Sequence, residues 1–482
     1  MRGVASGAIA SDYQRTRVER VCTRLGLVSL AYLWHQPQGA LLRRMVGGGI
    51  EAILVKIAAA GLVPGRHLGA RLAALPAQLH ALRRRYGINV CGEGGEYETL
   101  TLDCPLFPLG RIVLDAWDTV TVSNDALAPV ALLHPTAFHV EPKARAGSPG
   151  AADSDAAVAA QQFSLAKVLE VPRGFEAPEA ATQPAPPDPS RLPQAQLLVA
   201  EAGQYVTLTA EVPSTAGGGG AQADTAAALT AALSAVDAAL PALGLAWPAS
   251  LFAHLYVPDM SQFGAANAAY GSFFPAVNPP ARATVELAAG GGLTLAVEVL
   301  FCRAPALRRV LHVQSISEWA PSCIGPYAQA AAHAGLVLFA GQIGLHPPTM
   351  EVVPGGLDMQ AVRCLASCQA VAIGMRTHLA QALLWATVYV SDAAGSDAWA
   401  QAAAHIDAFL EGCLETGLWL RGAGCGGACG GEQAAAALEG WDGQEGGDEE
   451  DEELDDYLRP PDMRRHWRPL LTFVTVPQLP RG

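Results

Sequence analysis

Apolar positions along the first hundred residues recur at two periods. Val18, Val21, Cys22 and Leu25 fall at helical spacing, and Gly26 predicts the end of that helix. Leu27 to Trp34 and Ile50 to Ile57 are near-continuous apolar runs, the mark of buried parallel strands, with a short helical stretch around Leu41 to Met45 between them. Pro76, whose fixed φ suits a first helical turn, opens a helix through Arg85, and Gly87 closes it before the run Ile88-Asn89-Val90. This alternation predicts an α/β fold with a parallel sheet covered by helices, and ligands beyond the carboxyl ends of the strands. Near the other end, a long helix is expected from Asp358 to Leu379, a strand from Ala386 to Val390 and a helix from Trp399 to Leu410.

Between these patterned regions the texture changes. Residues 141–193 are rich in Ala, Pro, Ser and Asp and read as a linker, and Gly217 to Gly220 is a smaller loop. Gly422 to Asp456 is a low-complexity insertion, glycine-rich and then acidic, expected to be disordered. The domains expected are 1–140, 194–305 and 311–482, the last carrying the insertion 422–456.

The densest chemistry follows Ile88-Asn89-Val90. Cys91-Gly92-Glu93-Gly94-Gly95-Glu96-Tyr97-Glu98-Thr99 holds three carboxylates, three glycines and a tyrosine. A strand ending in a glycine-rich turn lets backbone approach a ligand closely, which makes Gly92, Gly94 and Gly95 candidate contacts to a cofactor. Carboxylates on such a turn suit a magnesium ion, a cationic substrate or general-base work. The competing reading is an acidic, solvated hairpin. Ser11 and Asp12 are candidate caps of a helix that carries Tyr13, Gln14, Arg15 and Arg17. Helix N-termini bind anions, so this block is a candidate phosphate or substrate contact, although Arg15 and Arg17 equally read as exposed helix charges. Lys56, at the end of a strand, is either a site residue or a surface one.

Composition narrows the field. A formal charge of −14 includes ten acidic residues between Asp442 and Asp456, without which the balance is only about −4. Acidity here describes one insertion, and an acidic chain gains nothing from phosphate-backbone attraction, so no direct nucleic-acid partner is expected. Ten cysteines in 482 residues do not make a disulfide scaffold. Cys364-x3-Cys368 and Cys425-x3-Cys429 have no histidine pair nearby, so no metal site is assigned and reduced thiols are expected. No uncharged apolar stretch reaches 18 residues, and Met1-Arg2 is not followed by a signal-peptide core. The expectation is a cytoplasmic chain without a membrane partner.

Four further blocks complete a pattern: Gly7-Ala8-Ile9-Ala10-Ser11-Asp12-Tyr13-Gln14-Arg15, Leu30-Ala31-Tyr32-Leu33-Trp34, Val55-Lys56-Ile57-Ala58-Ala59-Ala60-Gly61-Leu62 and His67-Leu68-Gly69. With the Gly-Glu-Gly-Gly-Glu-Tyr-Glu-Thr loop, they resemble the diphthine–ammonia ligases, or diphthamide synthetases, over roughly residues 3–135. The resemblance implies an adenine-nucleotide alpha-hydrolase type of sheet. It also implies ATP-dependent amidation, with magnesium, of the diphthine carboxylate on elongation factor 2. In that reaction an acyl-adenylate forms, ammonia attacks, and AMP and pyrophosphate leave. Diphthine carries a quaternary ammonium, so Glu93, Glu96, Tyr97, Glu98 and Thr99 are expected to bind substrate through carboxylates and an aromatic face. No catalytic residue is assigned. The family's Ser-Gly-Gly-Lys-Asp-Ser phosphate loop does not occur in this sequence, whose only lysines are Lys56, Lys143 and Lys167. Met1 stands where the family would already be under way, and the expectation is of a natural chain that begins upstream, lacking here its first strand and phosphate loop.

Two later segments resemble Rid/YjgF-type domains, small α/β domains that assemble as trimers and whose catalytic members hydrolyse enamines and imines. Phe252-Ala253-His254-Leu255-Tyr256-Val257-Pro258-Asp259, Asn267, Tyr270, Phe273-Phe274 and Pro280-Ala281-Arg282-Ala283-Thr284 resemble the latter half of that domain. Ile324-Gly325-Pro326-Tyr327-Ala328-Gln329 and Phe339-Ala340-Gly341-Gln342 resemble its first half. By motif, Arg282 is the residue expected to hold a substrate carboxylate. One reading is a pocket formed by Arg282, Tyr327 and Gln342 across an interface between two degenerate copies. The other, which is the expectation, is a purely structural pair that docks elongation factor 2. Two functions therefore stand: the ligase, or an inactive ligase relative acting as a Rid-like deaminase or binding scaffold.

Overall fold

A computed structural model describes residues 3–143, 192–214, 224–286, 292–415, 471–477 and 479–480. The expected linker 141–193 and the insertion 422–456 lie almost wholly outside the described residues. The chain divides into two compact units, Met1–Ala177 and Pro178–Gly482.

In the first unit, a strand that the apolar pattern does not predict, β1 (Gly3–Ala5), pairs in parallel with β2 (Val28–Leu30). Helix α1 (Asp12–Leu25) runs between them. It is capped by Ser11, whose side chain accepts from Gln14 N, and closed by Gly26 at φ 62°. The run from Leu27 forms a strand only to Leu30. Beyond it, Trp34 N bonds Ala31 O and Gln36 N bonds Leu33 O, so the chain turns and Trp34 is buried in a turn.

Helix α2 (Gln38–Gly47) leads into β3 (Glu51–Ile57), followed by a short helix α3 (Pro64–His67) and by α4 (Pro76–Tyr86), which Gly87 ends at φ 70°. Strands β4 (Tyr97–Asp103), β5 (Gly110–Ser123) and β6 (Val130–Pro142) complete a sheet of order β4-β3-β6-β5. The reading of Ile50–Ile57 as a parallel strand is corrected here: β3 is antiparallel to both neighbours. An apolar run marks burial on two faces but does not encode the direction of its partners, and β4 and β6 arrive from later in the chain. Leu54, Ile57, Leu62, Leu79 and Val90 form the centre of this unit's core.

The second unit is a mixed α/β assembly. Strands β7 (Gln196–Ala202) and β8 (Tyr205–Pro213), helix α5 (Thr225–Ala239), β9 (Ser250–Val257), α6 (Phe263–Gly271), β10 (Ala281–Glu286) and β11 (Leu293–Cys302) form its first repeat. The sheet order is β10-β9-β11-β8-β7, with β9 and β10 parallel. Alternation along β8, and along β9 from Leu251 onward, buries one face against α5. The segment Thr225–Leu243 is long and apolar enough to cross a membrane by length and composition. In this fold Leu229, Leu233 and Val236 of α5 are fully buried against the sheet.

The second repeat contains β12 (Arg309–Leu311), β13 (Ala330–His333), β14 (Leu336–Phe339), the small pair β15 (Leu345–His346) and β16 (Glu351–Val352), helices α7 (Gly356–Gly374) and α8 (Leu379–Ala382), β17 (Ala386–Ser391), α9 (Ala398–Glu415) and β18 (Leu471–Val476). β17 and β18 pair in parallel, echoing β9 and β10. The repeats meet through backbone: Ala281 bridges Ala328, Ala328 N donates to Pro280 O at 3.0 Å, and Gly341 N donates to Arg282 O at 3.0 Å.

Candidate functional site

The acidic loop is built by its own carboxylates. Glu93 Oε1 accepts from three consecutive backbone amides, Ile9 at 3.2 Å, Ala10 at 2.9 Å and Ser11 at 3.2 Å. These amides lead into the N-terminus of α1, where the helix dipole favours negative charge. The loop's anion thus occupies the place that helix geometry offers to an external one. Glu96 closes the other side. Its Oε1 accepts from Asn89 N and Asn89 Nδ2, both at 2.8 Å, and its Oε2 accepts from Gly94 N at 2.8 Å. Burial works against the charged form of Glu96, but the amides of Asn89 and Gly94 outweigh it and hold the carboxyl below its usual value.

The glycines follow from this closeness. A Cβ on Gly94 would stand 2.8 Å from Glu96 Oε1, and one on Gly92, at φ 72°, would stand 2.8 Å from Tyr97 O. They serve the loop's own packing, and a contact to a cofactor is additional to that. Asn89 and Gln38, which motif reading did not select, finish the frame. Gln38 Nε2 donates to Asn89 Oδ1 at 2.9 Å, and Gln38 Oε1 accepts from Cys91 N at 3.2 Å. The signal available was the position of Asn89 beside the loop; Gln38 is 51 residues away from it in sequence and carried none.

Two expected roles change. Tyr97 offers no aromatic face: it is 5% exposed, its hydroxyl donates to Val90 O at 2.5 Å, and it belongs to the core. Arg15 is not an anion contact either. It is 5% exposed, bonded to Glu19 at 2.6 Å and Asp12 at 2.9 Å, and lies over the Trp34 ring at 4.8 Å. Its charge is paired within α1, while its guanidinium packs the helix against the Trp34 turn. What remains at the surface is Tyr13, 67% exposed with the Arg17 guanidinium 4.5 Å from its ring centroid, and Glu98, paired with Lys56 at 2.7 Å. Gln14 and Thr99 are also exposed.

For a nucleotide, the described residues present little. The amides that would face a phosphate are taken by Glu93, and Lys56 is taken by Glu98. Among the described residues, this helix N-terminus and Lys56 are therefore already engaged by carboxylates of the loop and of β4.

In the second unit, Arg282 and Tyr327 do meet. The Arg282 guanidinium is 3% exposed and lies 4.7 Å from the rings of both Tyr270 and Tyr327, and 5.6 Å from Phe263. Its Nη2 donates to Asn267 Oδ1 at 2.7 Å, while Nη1 and the Tyr270 hydroxyl are buried without partners. Burial lowers the pKa of this guanidinium. A Cβ on Gly325 would stand 2.7 Å from Nη2, so only glycine lets the second repeat close over it. Gln342 turns to its own backbone, donating to Ala340 O at 3.4 Å, with no bond to Arg282.

Comparison with known proteins bears on these readings. Residues 37–120 match the family described as Diphthamide synthase C-terminal domain, and residues 194–302 match Endoribonuclease L-PSP. The Diphthine–ammonia ligase of Schizosaccharomyces pombe is 32% identical over 82% of this chain and 64% of its own length. By sequence, this chain is similar to the diphthine–ammonia ligases. That of Danio rerio is 57% identical over 141 residues, 29% of this chain and 55% of the fish protein. The chain thus spans about half to two thirds of the length of the curated relatives it matches. Among solved structures, the YjgF gene product of Escherichia coli is 27% identical over 23% of this chain and 93% of its own, with a TM-score of 0.19.

Proposed function

We propose that this chain takes part in the ATP-dependent amidation of diphthine on elongation factor 2, with ammonia as the nitrogen source, to give diphthamide. The observation that carries the reading is the 57% identity over 141 residues to a diphthine–ammonia ligase. The imine-hydrolysis alternative has less support, because the relatives that span most of the chain are ligases by name.

The first unit would serve the acceptor side of this reaction. Glu93 and Glu96 hold the loop rigid, leaving Glu98 at 60% side-chain exposure as the carboxylate free to exchange Lys56 for the quaternary ammonium of diphthine. Tyr13 takes over the aromatic contact first expected of Tyr97. ATP, when bound with magnesium, would activate the diphthine carboxylate. An adenine-nucleotide alpha-hydrolase type of sheet, a cytoplasmic location, and the absence of nucleic-acid and membrane partners belong to the same proposal. The test is AMP release and diphthamide formation, read by peptide mass, when the chain meets ATP, ammonium and diphthine-bearing elongation factor 2. Product without dependence on the diphthine-bearing factor, or no product, refutes it.

A second site is proposed on a separate observation, the buried unpartnered Nη1 of Arg282. A guanidinium in that state suits a small carboxylate, admitted when the turn at Gly325 moves aside. An Arg282→Ala chain whose affinities for small carboxylates equal those of the wild type removes this reading.

A further inference from the structure

A cavity of about 220 Å³ opens in the second unit, away from Arg282, where the connection after β11 passes the start of the second repeat. Its lining includes Arg309 of β12, His333 of β13, Ala334, and Arg376 and Thr377 just beyond α7. Three observations bear on it.

The first is charge. Two arginines, Arg309 and Arg376, both exposed, border one small space, and among the described residues neither forms an ion pair. The second is backbone strain. Arg376 at φ 60° and Ala334 at φ 50° are non-glycine residues in the left-handed region, and both border the cavity. At the end of α7 that conformation is ordinarily taken by glycine. An arginine there costs stability relative to glycine.

The third concerns the helix end itself. The amides of Met375, Arg376 and Thr377 already close the carbonyls of Val371, Ile373 and Ala372, at 3.0, 2.9 and 2.9 Å. The negative end of the helix is therefore satisfied by backbone and does not need the Arg376 guanidinium. Under the cavity, His333 is 1% exposed, with Nε2 3.1 Å from Ala304 O and Nδ1 3.4 Å from the Tyr205 hydroxyl. That gives the space a fixed floor shared by both repeats.

We infer that this cavity binds a small oxyanion, phosphate or carboxylate, between Arg309 and Arg376, with the Thr377 hydroxyl as an additional polar group. Forked donors on two elements match such an anion, and occupancy would tie the connection 303–311 to the end of α7. The site is distinct from the acidic loop and does not depend on the ligase reading.

The test uses the full chain and two probes, inorganic phosphate and acetate, against sodium chloride at matched ionic strength. Binding is read by calorimetric titration and by hydrogen exchange in peptides covering 305–311 and 372–378. The wild type is expected to bind at least one probe and to gain protection in both peptides. The better probe assigns the source as phosphoryl or carboxyl. Arg309→Gln and Arg376→Gly are each expected to lose affinity about tenfold or more. Arg376→Gly should also melt higher than wild type without ligand, because glycine relieves the left-handed strain while the cation is lost. Chloride giving equal protection, neither probe binding, or both variants binding like wild type overturns the inference.

Discussion

Replacing Glu93 tests how the first unit is assembled, because one oxygen serves three amides from a segment more than 80 residues away. Glu93→Ala leaves the amides of Ile9, Ala10 and Ser11 without that acceptor. Ala10 is exposed and its amide recovers a water, whereas Ile9 is 5% exposed and Ser11 is half-buried. A buried donor left unsatisfied costs roughly 1–3 kcal/mol, and losing a negative charge at a helix N-terminus adds about 0.3–1 kcal/mol. The expected local cost is therefore about 1.3–4 kcal/mol. Glu93→Gln keeps an oxygen but loses the charge, and about 1–2 kcal/mol is expected since charge-assisted bonds are roughly twice as strong as neutral ones. A chain of several units has no single global stability to compare, so the assay is native-state hydrogen exchange in a peptide covering residues 8–14. In Glu93→Ala, exchange there should accelerate roughly 10- to 1000-fold, since each 1.4 kcal/mol is a factor of ten. Less than a threefold change would refute the claim that this carboxylate organises the α1 N-terminus.

The remaining predictions follow from the same structure. The carboxyl of Glu96 is held below its ordinary value in the folded chain, so its contribution is present above about pH 4.3 and is lost as pH falls through the folded value. Glu96→Gln should flatten that acid limb of the first unit's urea midpoint, and an unchanged limb counts against the stapled loop. His254, bonded at 3.1 Å to both Tyr256 and Tyr389, has its pKa pushed down to about 4 by burial. Folded second unit then binds fewer protons than unfolded chain, so stability should drop as pH falls from about 6.5 to 4, by about 3 kcal/mol at most. His254→Gln melts that keep the same slope over this window would contradict it. Leu233, fully buried between α5 and the sheet, should cost about 2–5 kcal/mol when changed to Ala, measured as a drop in the second unit's melting temperature.

Much of the architecture was legible because its signals are local. Gly26 ends α1 and Gly87 ends α4 because a left-handed residue at a helix terminus is chosen by its immediate neighbours. Pro76 starts α4 for an equally local reason. The order of motifs that resembled a ligase is likewise a property of the linear chain, and the relatives agree with it. Trp34 was misread because an apolar run marks burial without distinguishing a strand from a buried turn.

Only the tertiary structure decided which of the loop's groups remain free. In the linear chain Glu93, Glu96 and Glu98 are three similar carboxylates, and Tyr13 and Tyr97 two similar rings. Folding commits Glu93 to amides 82 to 84 residues away and Glu96 to Asn89, and sinks Tyr97 into the core, while Glu98 and Tyr13 stay at the surface. The direction of β3's partners and the meeting of Arg282 with Tyr327 were settled in the same way. Local conformation depends on neighbours a few residues apart. A side chain's availability depends on which distant atoms satisfy it first, and that is known only when the chain has closed on itself.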